Sequence, residues 1–177
     1  ETAQQVLNGM NTGTPALSST EIAAGLKEAL RIGTQNGTGK LASADGFFTN
    51  AAVKILMPEE AKKVESTLRN IGLGSLVDKA VLSMNRAAED AAKSATPIFV
   101  DAIKAMTISD ALGILKGGDY AATNYFKDKT TVSLTNAFRP VIEKALTKVD
   151  ATKYWNDVFT AYNKFASKPV NTDLVAY

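Results

Sequence analysis

Apolar residues that return every three or four positions, cut by helix starts and stops, constrain this chain more than any other feature. The pattern is densest from Met106 to Phe126, which reads MTISDALGILKGGDYAATNYF. Thr107 is placed to cap a helix whose third residue is Asp110. Its hydroxyl and that carboxylate can each satisfy an N–H that a helix start leaves without a partner. Ile108, Ala111, Leu112 and Leu115 then fall on one face. Gly117-Gly118 predicts a stop in left-handed backbone, and Asp119 a cap on the helix that follows, with Ala122, Tyr125 and Phe126 inward.

The same rhythm extends to both sides. Ser18-Ser19-Thr20-Glu21 spells a capping box ahead of Ile22, Leu26 and Leu30. Pro58 precedes Glu59 and Glu60 as a first helical residue, with Ala61, Val64, Leu68 and Ile71 as the buried stripe and Gly72 as the stop. Ser75 to about Ser94 predicts a helix with a wide small-residue face, including Ala80, Ala87, Ala88 and Ala91, against which neighbours can approach closely. Thr96-Pro97 starts a helix carrying Phe99, Ala102, Ile103 and Met106. A further helix from about Thr131 to Val149 shows Leu134, Phe138, Val141, Ile142, Ala145 and Leu146, kinked at Pro140. Asp150 is placed to cap the last long helix, which presents Tyr154, Trp155, Val158, Phe159, Tyr162 and Phe165 and ends by Pro169. Residues 1–17 read as a short helix and linker, and 18–177 as a single domain. Ser43 to Met57 reads as a loop that plugs Phe47 and Phe48 into the core. No period-two run bounded by turns occurs. The expectation is an all-α fold, a bundle-like array of about seven to nine helices with no β-sheet.

Two absences narrow the chemistry. The chain has no Cys and no His, which removes disulfides, thiolate zinc sites, cysteine nucleophiles and imidazole bases. Ser-His-Asp and Cys-His machinery are excluded on that ground. Twenty basic against eighteen acidic residues are interspersed and net +2, which is no footprint for nucleic acid. No apolar run reaches the roughly 18 residues a bilayer-spanning helix needs. Gly33 to Lys40 superficially suggests a phosphate loop. Its glycine spacing is wrong, a helix precedes it, and Leu41 replaces the hydroxyl residue that would hold magnesium. The glycines are expected to permit close helix packing or to mark a frayed end.

Three polar or aromatic groupings are candidate sites. Asn85, Arg86 and Glu89 lie on adjoining turns of an otherwise apolar helix and could hold a carboxylate or phosphate. An Arg86–Glu89 or Arg86–Asp90 pair within the helix is the competing structural reading. Arg139, between Phe138 and Pro140, could bind an anion or bond carbonyls freed by the proline. The aromatic face formed by Tyr154, Trp155, Phe159 and Tyr162 could meet a partner helix or an acyl chain, or simply pack as core. Asp101, Asp110 and Asp119 recur every nine residues, but this spacing fixes no mutual distance. No metal site and no cofactor are expected.

The segments LSSTEIAAGLKEALRIGT, SMNRAAE, PIFVDAIKAMT, DALGIL and FRPVI together resemble the bacterial family catalogued as domain of unknown function 4197. The resemblance covers Leu17 to the end. It implies a helical protein of the Gram-negative envelope, periplasmic or associated with the outer membrane, made with a signal peptide and often lipid-anchored. A start at Glu1 fits a removed targeting segment, with a lipid anchor upstream of Glu1. The resemblance also implies one more helical segment after the point matching Tyr177. It assigns no activity. The leading expectation is therefore a non-catalytic domain that binds a protein partner or a small anionic or apolar ligand. A carboxylate-dependent hydrolase of envelope material and a scaffolding subunit are the alternatives.

Overall fold

The computed structural model describes residues 17–170, 173–175 and 177. Seven α-helices follow one another, with no strand among the described residues. They are α1 (Ser19–Leu41), α2 (Lys62–Asn70), α3 (Gly74–Ala92), α4 (Ala95–Ala105), α5 (Ile108–Lys116), α6 (Ala121–Lys148) and α7 (Ala151–Asn163), with a 3-10 turn at Glu59–Ala61 ahead of α2. The helix expected within residues 1–17 lies outside the described residues but for Leu17, as do Asn171, Thr172 and Ala176 of the terminal stretch.

Two helix starts form as their residues dictate. The Glu21 N–H donates to the Ser18 hydroxyl at 3.2 Å while the Ser18 N–H donates to the Glu21 carboxylate at 2.8 Å. Asp110 and Thr107 repeat the exchange at 3.1 and 2.9 Å. Reciprocal bonding of this kind satisfies two donors that each helix would otherwise strand.

Other local expectations are corrected. Gly117 is extended, not left-handed (φ −78°, ψ 174°). It is required for space, since a Cβ there would stand 2.5 Å from the Ala121 Cβ. Asp119 does not cap α6, which opens from Tyr120 without a side-chain cap. Asp150 does stand at the start of α7, but in left-handed backbone (φ 53°) and without a side-chain bond to the helix; only its carbonyl accepts, from the Tyr154 N–H at 3.1 Å. The helices expected on either side of Lys127 are one, because nothing from Lys127 to Thr130 breaks a helix. The hydroxyls of Thr130, Thr131 and Thr135 also fold back onto carbonyls four residues earlier. Pro140 is tolerated inside α6, at the loss of one ladder donor.

The glycines of α1 mark neither close packing nor a frayed end. The helix runs through them to Leu41, and a Cβ at Gly25, Gly33, Gly37 or Gly39 would meet open space. What fastens this turn is Thr38, which is buried. Its hydroxyl bonds the Thr34 carbonyl at 2.8 Å and the Thr96 hydroxyl of α4 at 2.6 Å. Thr96 is thus an anchor rather than a cap, and α4 begins one residue earlier.

Helix α3 runs through the middle. Its first half packs Val77, Ala80, Val81 and Met84 against Val64 and Leu68 of α2 and Trp155, Val158, Phe159 and Tyr162 of α7. Its second half sets Ala87 and Ala91 against Ala145 and Leu146 of α6 and Ala151 of α7. A separate cluster joins α1, α4 and α5 through Ala23, Met106 and Ala111, with Tyr125 and Phe126 of α6 against it. Several residues expected inside are outside: Ile71, Ile108, Leu115 and Phe165 are all exposed. They sit in last turns, at helix starts or past helix ends, where the helical period no longer dictates facing.

Candidate functional site: an apolar groove between two helices

The polar turn of α3 grips the loop between α1 and α2. Asn85, fully buried, accepts from the Ile55 N–H at 2.9 Å and donates to the Ile55 carbonyl at 2.7 Å. A second donor bond runs to Val81 at 2.7 Å. One carboxylate oxygen of Glu89 accepts from the N–H groups of Phe47 and Phe48, both at 3.3 Å. The other takes Arg86 at 2.7 Å, and Arg86 also reaches Asp45 at 2.8 Å. Asp45 is left-handed (φ 64°). These two carboxylates, Glu89 foremost, raise the already high Arg86 pKa further, so its charge is fixed. The turn therefore spends its polar groups on the loop. The intrahelical Arg86–Glu89 pair is present, with Asp45 as a partner that spacing could not show.

The loop and helices α3 and α6 enclose a groove of about 1230 Å³. One wall is the alanine face of α3, with Ala87, Ala88, Ala91 and Ala92. The opposite wall is Leu134, Phe138, Ile142 and Leu146 of α6, and Ile55 and Met57 close the loop side. Ala80, Ala87 and Ala91 draw helices together as expected, and Ala88 is left half-buried on the groove. The C-terminal stretch borders the same groove, with the Tyr177 hydroxyl donating to the Leu56 carbonyl at 2.9 Å. Burial, and then the nearby carboxylates Glu60 and Glu59, push the Tyr177 phenol above its ordinary pKa, so that donor persists through neutral pH.

Charge at the groove is uneven in a telling way. Of the four arginines, Arg31, Arg69 and Arg86 are held by carboxylates. Arg139 lines the groove, is exposed, and has no such partner among the described residues. The ammonium of Lys54 also lines it, 4.0 Å from the centre of the Phe48 ring. A second hollow of about 320 Å³ adjoins Arg86, but its lysines 93 and 148 are both tied to Asp90.

The sequence candidates are thus dispersed. Arg139 stands at the groove, whereas Asn85, Arg86 and Glu89 stand behind the loop that walls it. Trp155, Phe159 and Tyr162 are buried in the core and do not face a partner, because α2 and α3 cover them; Tyr154 is half-buried against the same cluster. Of the three spaced aspartates, Asp101 pairs with Lys104 and Asp110 caps α5. No cluster of acids suited to a metal occurs among the described residues. Sequence reasoning missed Lys54, whose loop carries no periodic signal. It saw Leu134, Phe138, Ile142 and Leu146, but a repeat of four cannot tell a packed face from a groove wall.

No described helix is long and apolar enough to cross a membrane. The family model described as a protein of unknown function (DUF4197) matches residues 16–177, and the chain belongs to that family. No curated protein and no solved structure matches it.

Proposed function

We propose that this member of the domain of unknown function 4197 family is a non-catalytic binding domain of the bacterial cell envelope, with the α3–α6 groove as its ligand seat. The observation that carries the reading is the groove itself. Its volume of about 1230 Å³ exceeds the roughly 300–1,000 Å³ of most small-molecule pockets, and apolar walls with few polar groups are what such sites show. The hydrolase alternative draws nothing specific from the rim, where Glu59 is already paired with Lys62. A periplasmic or outer-membrane location is part of the same proposal, and fractionation of cells making the native protein tests it.

The binding test is a calorimetric titration with decanol, a neutral chain. Saturable binding with a negative heat-capacity change is expected. Ala88→Trp, which fills the groove from the alanine wall, should abolish it while the helical circular dichroism is retained. Absence of saturable binding, or full binding by the filled variant, would overturn the proposal.

A further inference from the structure

The groove has a shape and a charge that together specify a ligand class. Along α6 its exposed and half-buried lining residues run from Thr131 to Ile142, which at helical rise is about 16 Å; Leu146 beyond them is packed against Ala87 and Ala91. A space that long, walled by alanine on one side and by leucine, phenylalanine and isoleucine on the other, suits an extended chain better than a compact ring system. The hydroxyls of Thr131 and Thr135 offer a polar head little, because each already donates to a helix carbonyl.

The charged lining residues are Lys54, Lys62 and Arg139 against Glu59 and Glu60. Three cations and two carboxylates leave one positive charge unbalanced. Lys62 is satisfied by Glu59, which leaves Arg139 and Lys54, each without a carboxylate partner among the described residues, against Glu60, a surplus of one positive charge. A guanidinium is a planar fork that matches two oxygens at once. One surplus charge complements one negative charge, which a carboxylate carries and a phosphate monoester, with ≈ −1.5 to −2 near neutral pH, exceeds.

We infer that the groove binds a long-chain carboxylate, its chain along the α3–α6 walls and its head at Arg139. The inference rests on the groove being a ligand seat, and the test separates the two. Decanoate, decanol, decyltrimethylammonium and decyl phosphate are titrated into the native protein and into Arg139→Gln, which keeps a helix-compatible polar stem. Decanoate should bind roughly two- to fivefold more tightly than decanol, the gain an exposed ion pair supplies. It should lose that margin in high salt and in Arg139→Gln, while decanol is unchanged; the trimethylammonium compound should bind more weakly than decanol.

Decanol binding without any decanoate preference, or a preference that survives Arg139→Gln, overturns the carboxylate assignment and leaves the groove as a seat. Tighter binding of decyl phosphate than of decanoate also overturns it. Failure of every chain overturns both readings. If the native protein then self-associates and Phe138→Asp abolishes the association, the groove belongs to a second copy.

Discussion

Replacing Asn85 by leucine keeps a side chain of similar size and deletes three hydrogen bonds at once. Two of these serve Ile55, whose N–H and carbonyl would both face an isobutyl group. The third ends on a helix carbonyl one turn back and matters least. A buried polar group left without a partner costs about 1–3 kcal/mol. Ile55 is only half-buried, so water reaches it after a small loop displacement, and the lower part of that range applies. The expected loss is about 2–3 kcal/mol in total, a large share of the roughly 5–15 kcal/mol that holds a domain folded. Urea unfolding followed by far-ultraviolet circular dichroism should show a lower midpoint with an unchanged slope, and amide exchange at Ile55 should accelerate.

Asn85→Asp sharpens the test. It keeps the acceptor, loses the donors to the Ile55 and Val81 carbonyls, and puts an ionisable group where exposure is 0%. Burial raises the folded-state pKa of such a carboxyl above its unfolded value, so protonation favours the folded state. The aspartate variant should be the least stable of the three at neutral pH and should recover as pH falls through that raised pKa. A leucine variant within about 0.5 kcal/mol of wild type, or an aspartate variant more stable than leucine at neutral pH, would refute the assignment of Asn85 as the residue that holds the loop.

Two glycines should respond to alanine with opposite signs. Gly37→Ala, with open space at its Cβ inside a helix, should stabilise by about 0.5–1 kcal/mol. Gly117→Ala, crowded against Ala121, should destabilise by about 1–3 kcal/mol; thermal melts read both. Acid should weaken the fold. Lys93 and Lys148 hold Asp90 below its ordinary pKa, and the Thr107 hydroxyl and N–H do so for Asp110. Stability from these groups is present above the unfolded carboxylate pKa of about 4 and is lost as pH falls below it. The pH dependence of the urea midpoint should be shallower in Asp90→Asn, which cuts the link from α3 to Lys148.

What could be read in the sequence was whatever short-range chemistry decides. Ser18 and Thr107 cap their helices because everything they need lies three residues away. The α2, α3 and α7 stripes are buried because their periodicity is uninterrupted. The sequence falls short where a residue's job is set from far along the chain. Thr96 answers to Thr38, Arg86 to Asp45 and Asn85 to Ile55, and no local pattern announces such pairs. The groove went unread for the same reason, since alanines on α3 read alike whether a neighbour closes on them or stands off.

Trp155 is the chain's one tryptophan, and its ring is stacked on Tyr177 at a centroid separation of 6.4 Å. Tyr177 is in turn bonded to Leu56, on the loop that walls the groove. The molecule thus carries its own optical gauge. Displacing Tyr177 from the loop would change the surroundings of a single indole, so native emission, with no label attached, reports whether that contact is made.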